Sequence, residues 1–334
     1  MIELLIFFIA ASLLLYVVLG GSDYGAGILE LLPAGTKRER QKHVINEAMG
    51  PVWEANHMWL ILIVVILFVG FPRIFTTLMV ALHLPMLALL LGIVVRGTAF
   101  TFRHYDAVQA PRSQRVYTVL FGVSSLWTAF WLGVIAASLT RGTITLNAGS
   151  AFAAYVRPWW GLYPAAVGVF VICIFAFLAS VYLIGETKDA DLKQRFIRCG
   201  VAFNCLVILT GALVFAASWL EQESLPHLFF RNPWTLAVMA LATVLFAGLW
   251  LSVRRQRPLV TRTIAAGQAA LILLGWWLLY SPNAILTTTG PIDFYSAAAP
   301  PGALRQLVIA LLVGSLFIFP SLFFLLRVFK ARQR

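Results

Sequence analysis

Leu60-Ile61-Leu62-Ile63-Val64-Val65-Ile66-Leu67-Phe68-Val69-Gly70-Phe71 has no charged, hydroxyl, amide or imidazole side chain along its length. A transmembrane barrel strand alternates apolar and polar residues at every second position. This run does not alternate, so it reads as part of a helix set in hydrocarbon. Leu307 to Phe319 likewise shows no alternation, with Ser315 its one polar side chain. The chain as a whole follows suit: of its 334 residues 61% are hydrophobic and 11% charged, with a mean hydropathy of +0.88. Soluble domains carry about 25% charged residues. A soluble enzyme, a nucleic-acid-binding protein and a disordered tail are therefore excluded as readings of the whole chain. An all-α polytopic membrane protein remains.

A helix crosses hydrocarbon with about 20 mostly apolar residues. Nine stretches qualify, at 2–31, 52–71, 74–96, 116–140, 159–184, 196–219, 234–253, 262–281 and 303–327. Pro33 ends the first, and Pro51, Pro158 and Pro233 precede later starts. Met1-Ile2-Glu3 is no basic leader, so the first stretch reads as a span and not a cleaved signal. Twenty of the 25 Lys and Arg residues fall, four apiece, in 37–42, 96–115, 188–198, 254–262 and 327–334. The other five are Arg73, Arg141, Arg157, Arg231 and Arg305. The positive-inside rule then sets the N-terminus outside and the C-terminus in the cytoplasm. The net charge of +12 is a topology signal with lipid-headgroup contact, and no nucleic-acid partner is expected.

Short loops make 1–334 a single integral membrane domain. Spans one to four and five to eight each begin outside. The expected architecture is two parallel four-helix bundles, 1–140 and 141–282, plus a ninth peripheral helix at 303–328. Cys173, Cys199 and Cys205 lack metal-ligand spacing and read as buried free thiols.

Of thirteen acids, only Asp23, Glu30 and Glu54 fall at membrane depth or its edge. A charge at the centre of a span costs about 2.5–3.5 kcal/mol on insertion scales, so such residues are functional candidates. Asp23 lies in Gly20-Gly21-Ser22-Asp23-Tyr24-Gly25-Ala26-Gly27, where small residues allow close helix approach. Glu54 lies in Gly50-Pro51-Val52-Trp53-Glu54-Ala55-Asn56-His57-Met58-Trp59, in the first turn after Pro51. It reads either as a helix cap or as an ionisable site beside Trp53, Asn56, His57 and Trp59. Arg96-Gly97-Thr98-Ala99-Phe100-Thr101-Phe102-Arg103 closes the third span. Its arginines are positive-inside markers, or else partners of a buried carboxylate or a propionate. All three clusters lie at the cytoplasmic ends of spans one to three. Their convergence makes a proton path through Glu54, Asp23 and His57 the leading expectation. His57 and His83 are the histidines within spans, and each reads as a polar contact sooner than as a haem ligand.

These clusters resemble the signature of subunit II of the cytochrome bd family of quinol-dependent terminal oxidases. That signature runs Asp-Gly-Phe-Asp-x-Gly-x-Gly in helix 1, Gly-Pro-x-Trp-Asp/Glu-x-Asn-x-x-Trp-Leu opening helix 2, and Arg-Gly-x-x-Phe-x-Phe-Arg closing helix 3. The chain departs from it at Gly20, Ser22 and Thr101, which leaves fewer acids along a proton path. The motifs cover the first third of the chain, and span number and N-out topology agree. The resemblance implies one subunit of a bacterial plasma-membrane complex that reduces O2 to water, drawing protons from the cytoplasm. It implies that haem b and haem d-type groups reside in subunit I. This chain would then bind no haem, support subunit I and line proton and O2 access. Trp53, Asn56, Trp59, Arg96 and Arg103 become motif and interface residues. The resemblance leaves room for a small single-span accessory subunit and for quinone or quinol contact. A polytopic small-solute permease is the competing reading. It would place polar groups at the bilayer midplane in both halves, whereas here they gather in one.

Overall fold

The computed structural model describes residues 1–50, 53–106, 110–146 and 148–331. Among these, nine helices are long and apolar enough to cross a membrane. The first span is a single rod, Ile2–Leu31, made of α1 (Ile2–Leu15), a π turn (Tyr16–Gly20) and α2 (Gly21–Leu31). A short polar helix, α3 (Arg38–Met49), leads to α4 (Trp53–Gly70). Next come α5 (Pro72–Ala81), α6 (His83–Tyr105) and α7 (Pro111–Thr140). The second half holds α8 (Ala151–Tyr155), α9 (Leu162–Ile184), α10 (Ala190–Leu220), α11 (Leu225–Arg231), α12 (Pro233–Arg254) and α13 (Pro258–Tyr280). A hairpin of β1 (Asn283–Thr287) and β2 (Gly290–Asp293) precedes α14 (Pro301–Ala331). Pro51, expected in the first turn of the second span, lies outside the described residues.

The third span corrects the expectation of 74–96. Pro72 starts the short α5 as its first residue, and Leu82 leaves helical geometry at φ −113, ψ 23. The spanning helix restarts at His83 and runs to Tyr105. Hydropathy cannot see this break, because every residue from Leu78 to Leu82 is apolar. Arg96 and Arg103 thus stand on the spanning helix and are buried, where the expectation placed them at its end and in the following loop.

The packing centre is α9, which touches α10, α2, α7 and α13. It joins spans from both halves of the chain. Two thirds of its apolar window (67%) is buried within the chain, against 11% for α12, whose sides face outward. Small residues permit this enclosure. A Cβ at Gly25 of α2 would stand 1.9 Å from the Phe175 carbonyl oxygen of α9. At the crossing of α7 and α9, a Cβ on Gly133 would meet the Val167 carbonyl at 2.6 Å. Backbones this close leave room for hydrogen only.

At one end of the spans the connections interlock. Ile144 bridges Thr287 of β1, and the Ala299 N–H donates to the Gly70 carbonyl at 2.8 Å. Ile144, Ile285, Ile292 and Phe294 share one apolar cluster with Leu5 and Phe71. Hydrophobic patterning gave no sign of this hairpin. The opposite end carries most of the Lys and Arg side chains and is called the basic face below.

Candidate functional site

Asp23 and Glu30 are seven residues apart on α2, and Arg96 and Arg103 are seven apart on α6. Seven residues make nearly two helical turns, so each pair shares one face with a rise of about 10.5 Å between members. The two faces meet in register. Arg96 Nη2 lies 2.6 Å from Asp23 Oδ1, and Arg103 Nη1 donates to Glu30 Oε2 at 2.6 Å. All four side chains are at most 2% exposed. The matched order, 23 with 96 and 30 with 103, requires the first and third spans to run in the same direction.

Each guanidinium is held on several sides. Arg96 Nε donates to Ser125 Oγ at 3.0 Å, and its Nη2 donates to the Asp23 carbonyl at 3.2 Å. The rings of Tyr24 and Phe121 flank it at 4.8 and 4.7 Å. Arg103 donates to Asn46 Oδ1 and stacks on Phe121 at 4.6 Å and Phe100 at 5.6 Å. Aromatic faces attract cations more strongly where water is excluded. Hydrogen bonding is nonetheless incomplete. Neither Asp23 oxygen receives an aligned N–H, so its contact with Arg96 is one of charge. Glu30 Oε1 and Arg103 Nε are buried without a protein partner.

Next to the lower pair, on the basic face, an open pocket of about 450 Å³ is lined by Asn46, Glu47, Trp53, Glu54, Thr101 and His104, among others. Glu54 is exposed, and among the described residues no cation lies within ion-pair range of it. Positive charge crowds this region from the other side. Lys42 donates to Gln114 Oε1 at 3.1 Å, and burial, then the neighbouring Arg103, pull its pKa below the ordinary lysine value.

The expected residues therefore divide. Asp23, Arg96 and Arg103 meet in one column, with Glu30 as the fourth member. His57 reaches it through Tyr24, whose ring it meets edge-on at 5.9 Å. Trp53 touches both His57 and Phe100, at 6.3 and 5.3 Å. Glu54 opens into the pocket and makes no ion pair with the column. Asn56 and Trp59 are buried on another side of α4, where Trp59 packs near Phe319. The sequence reading put Glu30 at membrane depth without assigning it to the site. The signal was its seven-residue offset from Asp23, equal to that between the arginines. Asn46, Ser125 and the hydrogen-bonded Tyr16–Tyr24 pair, 2.9 Å apart, had no such signal.

His83 Nδ1 is engaged with the Val80 carbonyl at 3.0 Å. His57 Nδ1 is buried without a protein partner. Among the described residues no cluster of three His, Cys, Asp or Glu could hold a metal ion.

Among the described residues, nine apolar helices with charge pairs inside the span define a polytopic helical membrane protein. The family described as cytochrome bd terminal oxidase subunit II matches residues 1–329, and the chain belongs to that family. It is 28% identical over 199 residues to cytochrome bd ubiquinol oxidase subunit 2 of Bacillus subtilis (strain 168), a match covering 60% of this chain and 57% of that protein. It is 21% identical over 347 aligned positions to the putative cytochrome bd menaquinol oxidase subunit II of the same organism, with coverage of 96% and 93%. The structure of bd oxidase from Geobacillus thermodenitrificans contains a chain with the same fold, at a TM-score of 0.75, 18% identity and 98% coverage of both chains. Family membership overturns the permease reading.

Proposed function

We propose that the chain serves as subunit II of a bd-type quinol oxidase, an oxidoreductase complex that reduces O2 to water, and that its first three spans deliver protons towards the haem-bearing subunit I. The basic face is the cytoplasmic face, with the N-terminus outside. Haem b and haem d-type groups belong to subunit I, where they supply the electron and oxygen chemistry. The residues of this chain hold and move protons. Glu54 takes protons from water in the pocket, and Asp23 receives them inside the span. His57 and Arg96 set the field around Asp23. Trp53 walls off the route, and Asn56 and Trp59 anchor α4. Quinol contact, O2 access and a single-span accessory subunit are compatible with the outward-facing helices.

The observation that carries this reading is the Asp23 carboxylate, 1% exposed and short of aligned donors, in a column that leads to an open carboxylate pocket. Buried polar atoms are almost always hydrogen-bonded, to protein or to ordered water. Ordered water would meet these acceptors, and a water-bridged carboxylate can pass a proton. Glu54→Gln in the assembled complex should keep the haems and slow turnover by about tenfold or more, on the scale of losing a positioned proton carrier. Glu54→Asp should retain much of the activity, and Asp23→Asn should show a milder defect. The measurement is quinol oxidation against pH, with membrane-potential generation alongside. Wild-type turnover and potential in Glu54→Gln would make Glu54 a helix cap only.

A further inference from the structure

We propose that Glu30 is a proton-relay residue standing between the Glu54 pocket and Asp23. This rests on the uptake reading above and adds the step that joins its two ends. Glu54 and Asp23 are not in contact, so a carrier is needed between them. Glu30 has the position for it. Its Oε2 is fixed by Arg103, while its Oε1 is buried with no protein partner. Arg103 Nε is buried and unpartnered as well. Asn46 accepts from Arg103 and also lines the open pocket, so the lower ion pair lies directly behind the pocket wall. Asp23 follows two turns along the same face, a rise of about 10.5 Å that a short water file can bridge.

A guanidinium can match a carboxylate in two parallel hydrogen bonds, but Arg103 engages Glu30 through Oε2 alone. Here one oxygen is left open. In the relay, Glu30 accepts a proton arriving past Asn46 and becomes a neutral acid, leaving Arg103 charged. It then releases that proton by way of water to the Asp23 carboxylate. The charged groups acting on Glu30 are Arg103, Lys42 and Arg96, all cationic.

The test uses the assembled oxidase complex carrying Glu30→Gln, and separately Glu30→Gln with Arg103→Gln. The double variant removes both buried charges. A purely neutralising Glu30 predicts wild-type turnover there. The relay predicts turnover slowed about tenfold or more in both variants, with haem absorbance kept and the pH profile flattened. Glu30→Asp keeps the carboxylate and should recover most of the rate and its pH dependence. Wild-type turnover and pH profile in the double variant would overturn the relay. If Glu54→Gln is slow while the double variant is normal, uptake through Glu54 stands and the role of Glu30 falls. If Glu54→Gln is normal while both Glu30 variants are slow, the relay stands and the pocket is fed by another route.

Discussion

The side chain of Arg96 is 1% exposed and carries a full charge inside a membrane span. Removing one partner of a buried pair strands the other, at a cost of about 3–5 kcal/mol. Arg96→Leu should therefore lower the thermal stability of the detergent-solubilised complex, read as loss of the monodisperse peak on heating. Arg112 lies on an exposed turn of α7, and Arg112→Leu should change little. Equal, negligible effects at both would reduce Arg96 to a topology marker. Gly25 offers a second contrast. A Cβ there would overlap the Phe175 carbonyl, whereas at Gly248 the nearest atom is the Ile264 Cδ1 at 3.8 Å. Gly25→Ala should cost about 1–3 kcal/mol or more, as overpacking does, and Gly248→Ala should be tolerated in the same assay.

Among the elements, α10 has a start that pH can loosen. Asp189 caps it, accepting from the Asp191 and Leu192 N–H groups, and pairs with Arg40 of α3 at 2.6 Å. The Leu192 N–H first, then that of Asp191 and the Arg40 charge, hold its pKa below the ordinary aspartate value. A depressed carboxylate stabilises the fold above its unfolded pKa and loses that contribution as pH falls through the folded one. Acidification below the usual aspartate range should thus free α3 from α10. Hydrogen exchange over residues 35–45 and 187–195 should rise with acid in the native protein and be already high in Asp189→Asn. No difference between the two would leave the cap without a role. Elements also show where legibility stopped. The π turn sits inside unbroken apolar sequence and the break at Leu82 closes an apolar run, so neither leaves a trace in hydropathy. By contrast, Asp189 before α10 and Asn232 before α12 follow ordinary capping chemistry.

The molecule as a whole presents little of α12 to its own core, while α9 is enclosed on nearly every side. Such a chain has broad apolar faces to offer lipid and a larger partner. Expressed without subunit I, it should be colourless and without oxidase activity. A stoichiometric haem spectrum, lost on changing His57 or His83, would reverse that assignment. At the end away from the basic face, Arg141 bridges Glu221 and Glu223 at 2.9 and 2.7 Å, joining the ends of α7 and α10. Burial raises the Glu223 pKa above the ordinary glutamate value, with Arg141 opposing it. Its protonated form is thus favoured by folding, so its share of stability falls as pH rises through that raised value. Glu223→Gln should flatten the thermal stability curve across that window.

Sequence by itself determined the solvent, the number of spans and the alternation of basic loops. These are sums along the chain, and each residue contributes to them wherever its neighbours lie in space. It also supplied Asp23, Arg96, Arg103 and Glu54 as candidates, because a charge in hydrocarbon is costly whatever its partner. Tertiary structure alone decided who pairs with whom. The rotation of α2 against α6 brings two seven-residue spacings into register, admits Glu30 to the column, and leaves Glu54 outside it in an open pocket. Pairing depends on helix azimuth and depth to within an ångström or so, and those are set by close glycine contacts, of α2 with α9 from the far half of the chain and of α6 with α7.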